Sequence, residues 1–476
     1  MTAFPSAHID AYSRSAWSRS IIPSLHDYIR IPNKSPAFDP DWQANGHMQT
    51  AVDLLAQWAR EHAPVNASVE VISLPQRTPV LFIELPGTGA PGELLLYGHY
   101  DKQPEFDGWQ TGLSPWEPVQ RDGKLYGRGG ADDGYAMYGS LTAVAALDEA
   151  GVPRARCTML IEGCEESGSF DLPFYVEHLQ DRIGTPDLVV CLDAECGNYD
   201  QLWVTTSLRG MLPGVLRANV LTQGQHSGAA GGIVPSSFRL LRQAIERIEN
   251  GATGELHETL RVDIPDHVRQ QAEQAAAILG STVVDRFPWL EGHRPRSNDY
   301  AQLLLENAWE PSLATVGLEG APALADAGNT LRPGTAAKLV FRLPPTLDAA
   351  TAGTAVKEIL EAGDDNSGGQ VTFEVETPQT GWCAPEPAPW LADACMAASL
   401  DSFGKPCAYM GMGGTIPFMK MLGDAYPGVQ FLVTGVLGPL SNAHGPNEFL
   451  HIETGTRLTA CVARVIAEHG RRENSG

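Results

Sequence analysis

Leu94-Leu95-Leu96-Tyr97-Gly98-His99-Tyr100-Asp101 is the stretch that decides the fold of this chain. Its apolar run has the length and character of a strand buried on both faces. A histidine and an acid follow at once. The same arrangement recurs downstream. Thr158-Met159-Leu160-Ile161 precedes Glu165 and Glu166, and Leu188-Val189-Val190-Cys191-Leu192 runs into Asp193. Phe431-Leu432-Val433 comes before the polar loop that carries His444. Between the first two runs lies a Gly-rich turn, Gly127-Arg128-Gly129-Gly130-Ala131-Asp132-Asp133-Gly134, which leads into an Ala-rich helical pattern ending near Glu149. Strands alternating with helices predict an α/β fold with a mixed, mostly parallel sheet and helices on both faces. In such sheets, ligand sites form outside the carboxyl ends of the strands. Segments far apart in sequence are therefore expected to deliver His99, Asp132, the 165–166 acids, Asp193 and His444 to one crevice.

Working outward, helical spacing covers Ser18 to Arg30 and Met48 to Arg60. Val69 to Ser73 and Val80 to Leu85 read as strands, and Leu172 to Leu179 as a helix. From about Arg209 to Pro378 the character changes. A strand pattern from Pro213 to Leu221 precedes the loop Gln225-His226-Ser227-Gly228-Ala229-Ala230-Gly231-Gly232. Helical patterns follow at Ser236 to Glu249, His267 to Leu279 and Ala349 to Glu361, with strands at Lys338 to Arg342 and Val371 to Glu376. Asp364-Asp365-Asn366-Ser367-Gly368-Gly369 is a turn signal. The α/β pattern resumes with a helix from Trp390 to Phe403, a turn at Gly411-Met412-Gly413-Gly414-Thr415-Ile416-Pro417, a strand from Val429 to Thr434 and a closing helix from Thr454 to Glu468. The expected organisation is a catalytic domain in two parts, 1–208 and 379–476, interrupted by an α+β insert, 209–378.

The 476 residues exceed what one hydrophobic core normally fills. With 33 Lys and Arg against 57 Asp and Glu, the net charge of −24 opposes phosphate backbones and argues against a nucleic-acid partner. No apolar run approaches the roughly 20 residues of a membrane helix, and no basic-then-apolar leader pattern opens the chain. Eight dispersed cysteines without a Cys-x-x-Cys pair read as free thiols in a reducing compartment. The expectation is a cytoplasmic protein with neither a membrane nor a nucleic-acid partner.

Two histidines and three or more carboxylates are the donor set of a pair of divalent ions such as Zn²⁺, Mn²⁺ or Co²⁺, which residue types alone do not separate. Each piece has an ordinary reading as well. Adjacent acids such as Asp132 and Asp133 suit a helix start, and Glu195 rivals Asp193 within one segment; Asp193 is preferred because it ends the apolar run. The His-x-Asp spacing adds weight, since a carboxylate two residues on can orient an imidazole ligand. In Glu165-Glu166 one carboxylate can bind a metal while its neighbour handles protons.

Taken together, Gly98-His99-Tyr100-Asp101, Gly127 to Asp133, Glu165-Glu166-Ser167-Gly168, Asp193, His226-Ser227-Gly228, Gly413-Gly414-Thr415-Ile416-Pro417 and Ala443-His444 resemble the M20 metallopeptidases. The resemblance is strongest to the carnosinase-type, cytosolic non-specific dipeptidase-like branch. It implies that His99 and Asp193 bind one metal, Glu166 and His444 the other, and that Asp132 bridges them. It further implies Glu165 as general base, Asp101 as the residue that orients His99, and a cis peptide between Asp132 and Asp133. The insert would be a lid that makes a homodimer, with His226 reaching the partner's active site to stabilise the oxyanion. Arg342 would grip a substrate carboxylate, with Asn329, Gly414 and Thr415 as further substrate contacts.

The function so implied is a two-zinc amide hydrolase acting on dipeptides with a free C-terminal carboxylate. The alternatives are an N-acyl amino acid deacylase or carbamoyl-amide hydrolase on the same site, a catalytically silent dimeric binding protein, and a two-metal phosphoesterase, which lacks a basic phosphate cradle here. Two positions depart from the family's pattern. Gly134-Tyr135 stand where many relatives carry Lys-Gly. Met412 stands where an acid often precedes the Gly-Gly turn, which moves the expectation toward an acylated or bulky apolar group on the substrate's N-side.

Overall fold

The computed structural model describes residues 4–363 and 368–472. Its centre is a six-stranded mixed sheet, in the order Ser68–Ile72, Val80–Leu85, Arg156–Glu162, Glu93–His99, Leu188–Cys191, Gln430–Val433. The last four run parallel, while Val80–Leu85 is antiparallel to Arg156–Glu162 and to Ser68–Ile72.

Period-two alternation explains why these runs are apolar throughout. Leu94, Leu96, Met159, Ile161, Leu188 and Val190 face one hydrophobic core. Leu95, Tyr97, Leu160, Val189 and Cys191 face a second core on the other side. Helices cover both faces. His47–His62, Ala136–Glu149, Pro389–Phe403 and Ile452–Arg471 supply the first core, and Leu172–His178 and Pro417–Ala425 the second. The N-terminal helix begins earlier than its spacing suggests: Ser6–Ala16 passes through a π turn, Trp17–Ile21, into Ile22–Ile29. Pro23 lies two residues past the π turn, within a backbone that stays helical throughout.

Between residues 210 and 375 a separate antiparallel sheet forms, in the order Ser312–Glu319, Gly334–Leu343, Gly210–Asn219, Gln370–Val375. Ser237–Ile248 and Ala349–Glu361 pack on it around their own core of Leu212, Leu216, Leu339, Phe341 and Val356. Ser312–Glu319 was not evident in the sequence. It is an edge strand whose Val316 and Leu318 are exposed, so its pattern lacks the alternation that marks a half-buried strand. Trp203–Leu208 and Ala408–Met412, also without a clear sequence signal, pair in parallel in a small sheet beside the main one. The turn expected at 364–369 lies, for residues 364–367, outside the described residues. Among the described residues no helix is long and apolar enough to cross a membrane.

Candidate metal centre

The crevice lies at the carboxyl ends of the parallel strands. His99 is the last residue of its strand, and the 3₁₀ turn Glu165–Ser167 follows Arg156–Glu162 after two residues. Asp193 follows Leu188–Cys191 and forms a bridge with Gly435. The Gly-rich turn brings Asp132 in from the side, and the Asp132–Asp133 peptide is cis.

Two groups of three donors result: His99, Asp132 and Asp193, and Asp132, Glu166 and His444, each with its ligand atoms within 4.8 Å of one another. Asp132 belongs to both. Its Oδ1 lies 3.4 Å from His99 Nε2 and its Oδ2 3.0 Å from His444 Nε2. Asp193 Oδ2 is 3.7 Å from His99 Nε2, and Glu166 Oε2 is 3.3 Å from His444 Nε2.

The electrostatics call for cations. Burial disfavours a charged imidazole at His99, yet the surrounding carboxylates of Asp101, Asp132 and Asp193 carry its pKa well above the ordinary value. Burial pushes Glu166 up to about 7, with the nearby Asp132 adding to it. Burial also raises Glu165 and Asp193 well above the usual carboxylate range, and neighbouring acids reinforce the shift. Asp132 alone is held below that range: His444 and His99 outweigh its burial. Packing so many acids together is costly unless positive charge compensates. His99 Nε2 is buried without a hydrogen-bond partner, close to two carboxylates. A divalent ion fits both observations, and imidazole plus carboxylate is a suitable donor set.

Neighbouring groups fix the donors. Asp101 does more than orient one ring. His99 Nδ1 lies 3.2 Å from the Asp101 carbonyl and 3.4 Å from its carboxylate, whose two oxygens accept the N–H groups of Glu165 and Glu166 at 3.1 and 3.0 Å. Gln103 donates to Glu166 Oε2 at 2.6 Å. Asp133 accepts the His99 N–H at 3.3 Å, an approach that Gly98 permits, since a Cβ there would lie 2.9 Å from Asp133 Oδ2.

The two unusual positions have structural causes. A side chain at Gly134 would meet the Tyr28 ring at 2.2 Å. Tyr135 points its hydroxyl to the carbonyl of Leu192, beside Asp193, at 2.6 Å. Met412 is buried in the second core, its sulfur taking the N–H of Glu195 at 3.3 Å. Glu195 itself pairs with Arg286 at 3.1 Å and takes no part in the two donor groups.

The remaining predicted residues fall into two places. Arg342 donates to Thr415 Oγ1 at 3.2 Å, and Thr415 donates to the Arg209 carbonyl at 2.5 Å. The Arg209 guanidinium binds the Gly413 carbonyl at 3.3 Å, one residue before Gly414. Burial lowers the pKa of Arg342, and burial together with Arg342 lowers that of Arg209 to about 10. Among the described residues no acid forms a direct ion pair with either, and Glu195 offsets the shift of Arg209 only in part. Arg209 escaped the sequence reading because its partners are all distant in sequence. His226 and Asn329 sit elsewhere: both are exposed, His226 pairs with Thr330 in a two-stranded ribbon, and the Asn329 carbonyl accepts the Ser227 N–H at 2.9 Å. Among the described residues no hydrogen bond or ion pair links His226 to the acids and histidines of the crevice.

The sequence pattern of peptidase family M20/M25/M40 matches residues 95–468. The chain belongs to that family. It is 28% identical over 445 residues to the human beta-Ala-His dipeptidase, covering 88% of this chain and 84% of that one. It is 26% identical over 408 residues to the cysteinylglycine-S-conjugate dipeptidase of Corynebacterium striatum, covering 82% and 84%. The fold of the di-peptidase Dug1p from Saccharomyces cerevisiae superposes with a TM-score of 0.80 at 20% identity, over 99% of each chain.

Proposed function

We propose that this M20 protein is a dipeptidase working with two divalent metal ions, zinc in preference to manganese or cobalt. The observation that carries this reading is Asp132, a single carboxylate shared by two donor groups in one crevice. In our assignment His99 and Asp193 complete one position, Glu166 and His444 the other. When bound, such a pair lowers the pKa of water and polarises a carbonyl.

The chain's own residues do the rest. Glu165, outside both donor groups yet in the same acidic turn as Glu166, accepts the proton of the attacking water and returns it to the leaving amine. Its raised proton affinity suits that exchange. Asp101 holds the turn and the His99 ring in place. Arg342 clamps the C-terminal carboxylate, assisted by Thr415 and the backbone of Gly414. Asn329 and His226 lie on one exposed ribbon, which supports their acting across a homodimer, where the partner's His226 would stabilise the oxyanion.

The same proposal divides the chain into a catalytic domain, 1–208 with 379–476, and a lid and dimerisation domain, 209–378. The separate core of the second sheet and its exposed apolar edge strand support this. Sedimentation velocity should give twice the mass of the 51.1 kDa chain; a monomer at micromolar concentration would refute the dimer. All eight cysteines are free thiols, which supports a cytoplasmic location, checked by cell fractionation.

A panel of free and N-acylated dipeptides, with acid or amide C-termini, tests the activity. Chelator-sensitive hydrolysis of free dipeptides with an acid C-terminus is expected. Arg342→Met should lower kcat/KM for those substrates about 10- to 100-fold, the worth of a charge-assisted hydrogen bond, and leave the amides unchanged. Hydrolysis insensitive to chelation would reject the reading. The second reading is an N-acyl amino acid amidohydrolase on the same site; preference for the acylated members of the panel would establish it.

A further inference from the structure

Glu448 lies four residues past His444, and its side chain is fully buried. One carboxylate oxygen is 2.7 Å from Arg128 Nη1, and the N–H groups of Gly129 and Ala131 donate to the same carboxylate at 3.0 and 3.3 Å. Those amides belong to the turn that ends at Asp132. Arg128, equally buried, sends its other arm to the carbonyl of Gly445 at 2.6 Å, directly after His444, and its Nε to the carbonyl of Pro104 at 3.1 Å. Pro104 follows Gln103, which holds Glu166. The rings of Phe106 and Trp109 flank the guanidinium at 5.6 and 5.8 Å.

One buried ion pair thus ties the turn of Asp132 to the loop of His444 and, at Pro104, to the loop after His99 whose Gln103 holds Glu166. Among the described residues it makes no hydrogen bond to the segment of Asp193, and it reaches that of His99 only at Pro104, five residues past a histidine held at a buried strand end. We infer that Arg128 and Glu448 are positioning residues chiefly for His444, and so set the affinity of the Asp132–Glu166–His444 position more strongly than that of the other. This rests on the two-metal reading above.

The physical reason lies in the loops. His444 sits on an irregular loop in the left-handed backbone region, and more than half of its side chain is exposed, so little else restrains its ring. Arg is suited to the task because three separate nitrogens of its planar fork meet Glu448, Gly445 and Pro104 in fixed directions, which the single nitrogen of an ammonium does not provide. Outer partners of metal ligands typically change affinity about 10- to 100-fold when replaced.

The test is calorimetric titration of Zn²⁺ into the full-length, chelator-stripped protein, with thermal unfolding of the metal-free form alongside. Wild type should show two binding events. Arg128→Lys, which keeps a charge opposite Glu448 but loses the fork, should weaken one event about 10- to 100-fold and the other by clearly less. Glu448→Gln should do the same. In both, kcat should fall at limiting zinc and recover with excess zinc, while KM stays within about twofold. Should Glu448→Gln fail to fold, Arg128→Lys carries the comparison. Two wild-type events left unchanged in the variants, or weakened equally, would overturn the inference alone. Fewer than two events in the wild type would overturn the two-metal reading and the inference with it.

Discussion

Glu165→Gln is expected to lose roughly 100- to 10,000-fold in kcat, the range that a positioned general base contributes, with its metal content unchanged. The substitution keeps shape and removes the ability to hold a proton. Glu165 takes no part in either donor group, so both metal positions should survive. Its N–H bond to Asp101 comes from the backbone and is retained. The measurement is steady-state kinetics beside metal analysis of the same preparation. A variant that turned over at the wild-type rate would remove Glu165 from the role of base. A variant that lost metal would show instead that it is a ligand.

Asp132→Ala is expected to be the most damaging single change. Every other donor serves one position, and Asp132 serves both. His444→Ala should weaken one ion and leave the other. Asp132→Ala should weaken both by more than the roughly 100-fold associated with an outer partner, and excess zinc should not restore activity. The alanine also leaves two buried or half-buried imidazoles without the carboxylate between them. Metal analysis after dialysis, together with activity over a range of zinc concentrations, decides the matter. Two ions retained at wild-type affinity would mean that Asp132 does not bridge.

The sheet and the crevice were legible because buried parallel strands leave a strong mark. A strand covered on both faces must be apolar along its whole length, so Leu94–Tyr97 and Leu188–Leu192 stand out, and the first polar residue after each run marks its carboxyl end. His99 and Asp193 were found in this way. The choice of Asp193 over Glu195 follows the same logic, and the structure places Asp193 in a donor group and Glu195 against Arg286. The irregular parts left weaker marks. Ser312–Glu319 carries exposed apolar residues on an edge and reads as neither strand nor helix. Gln103, Arg128, Arg209 and Glu448 were not singled out, because nothing local distinguishes a polar residue that holds a ligand from one that faces water.

The sequence by itself determined the order of strands and helices, the ends at which chemistry-bearing side chains emerge, and the family, since those features depend on burial pattern and local spacing. Only the tertiary structure gave the distances that put Asp132 in two donor groups, how Asp101 serves both a ring and a turn, and that one buried ion pair joins three loops. Those facts depend on distances between segments up to about 320 residues apart, and the packing of whole layers, not neighbouring residues, sets such distances.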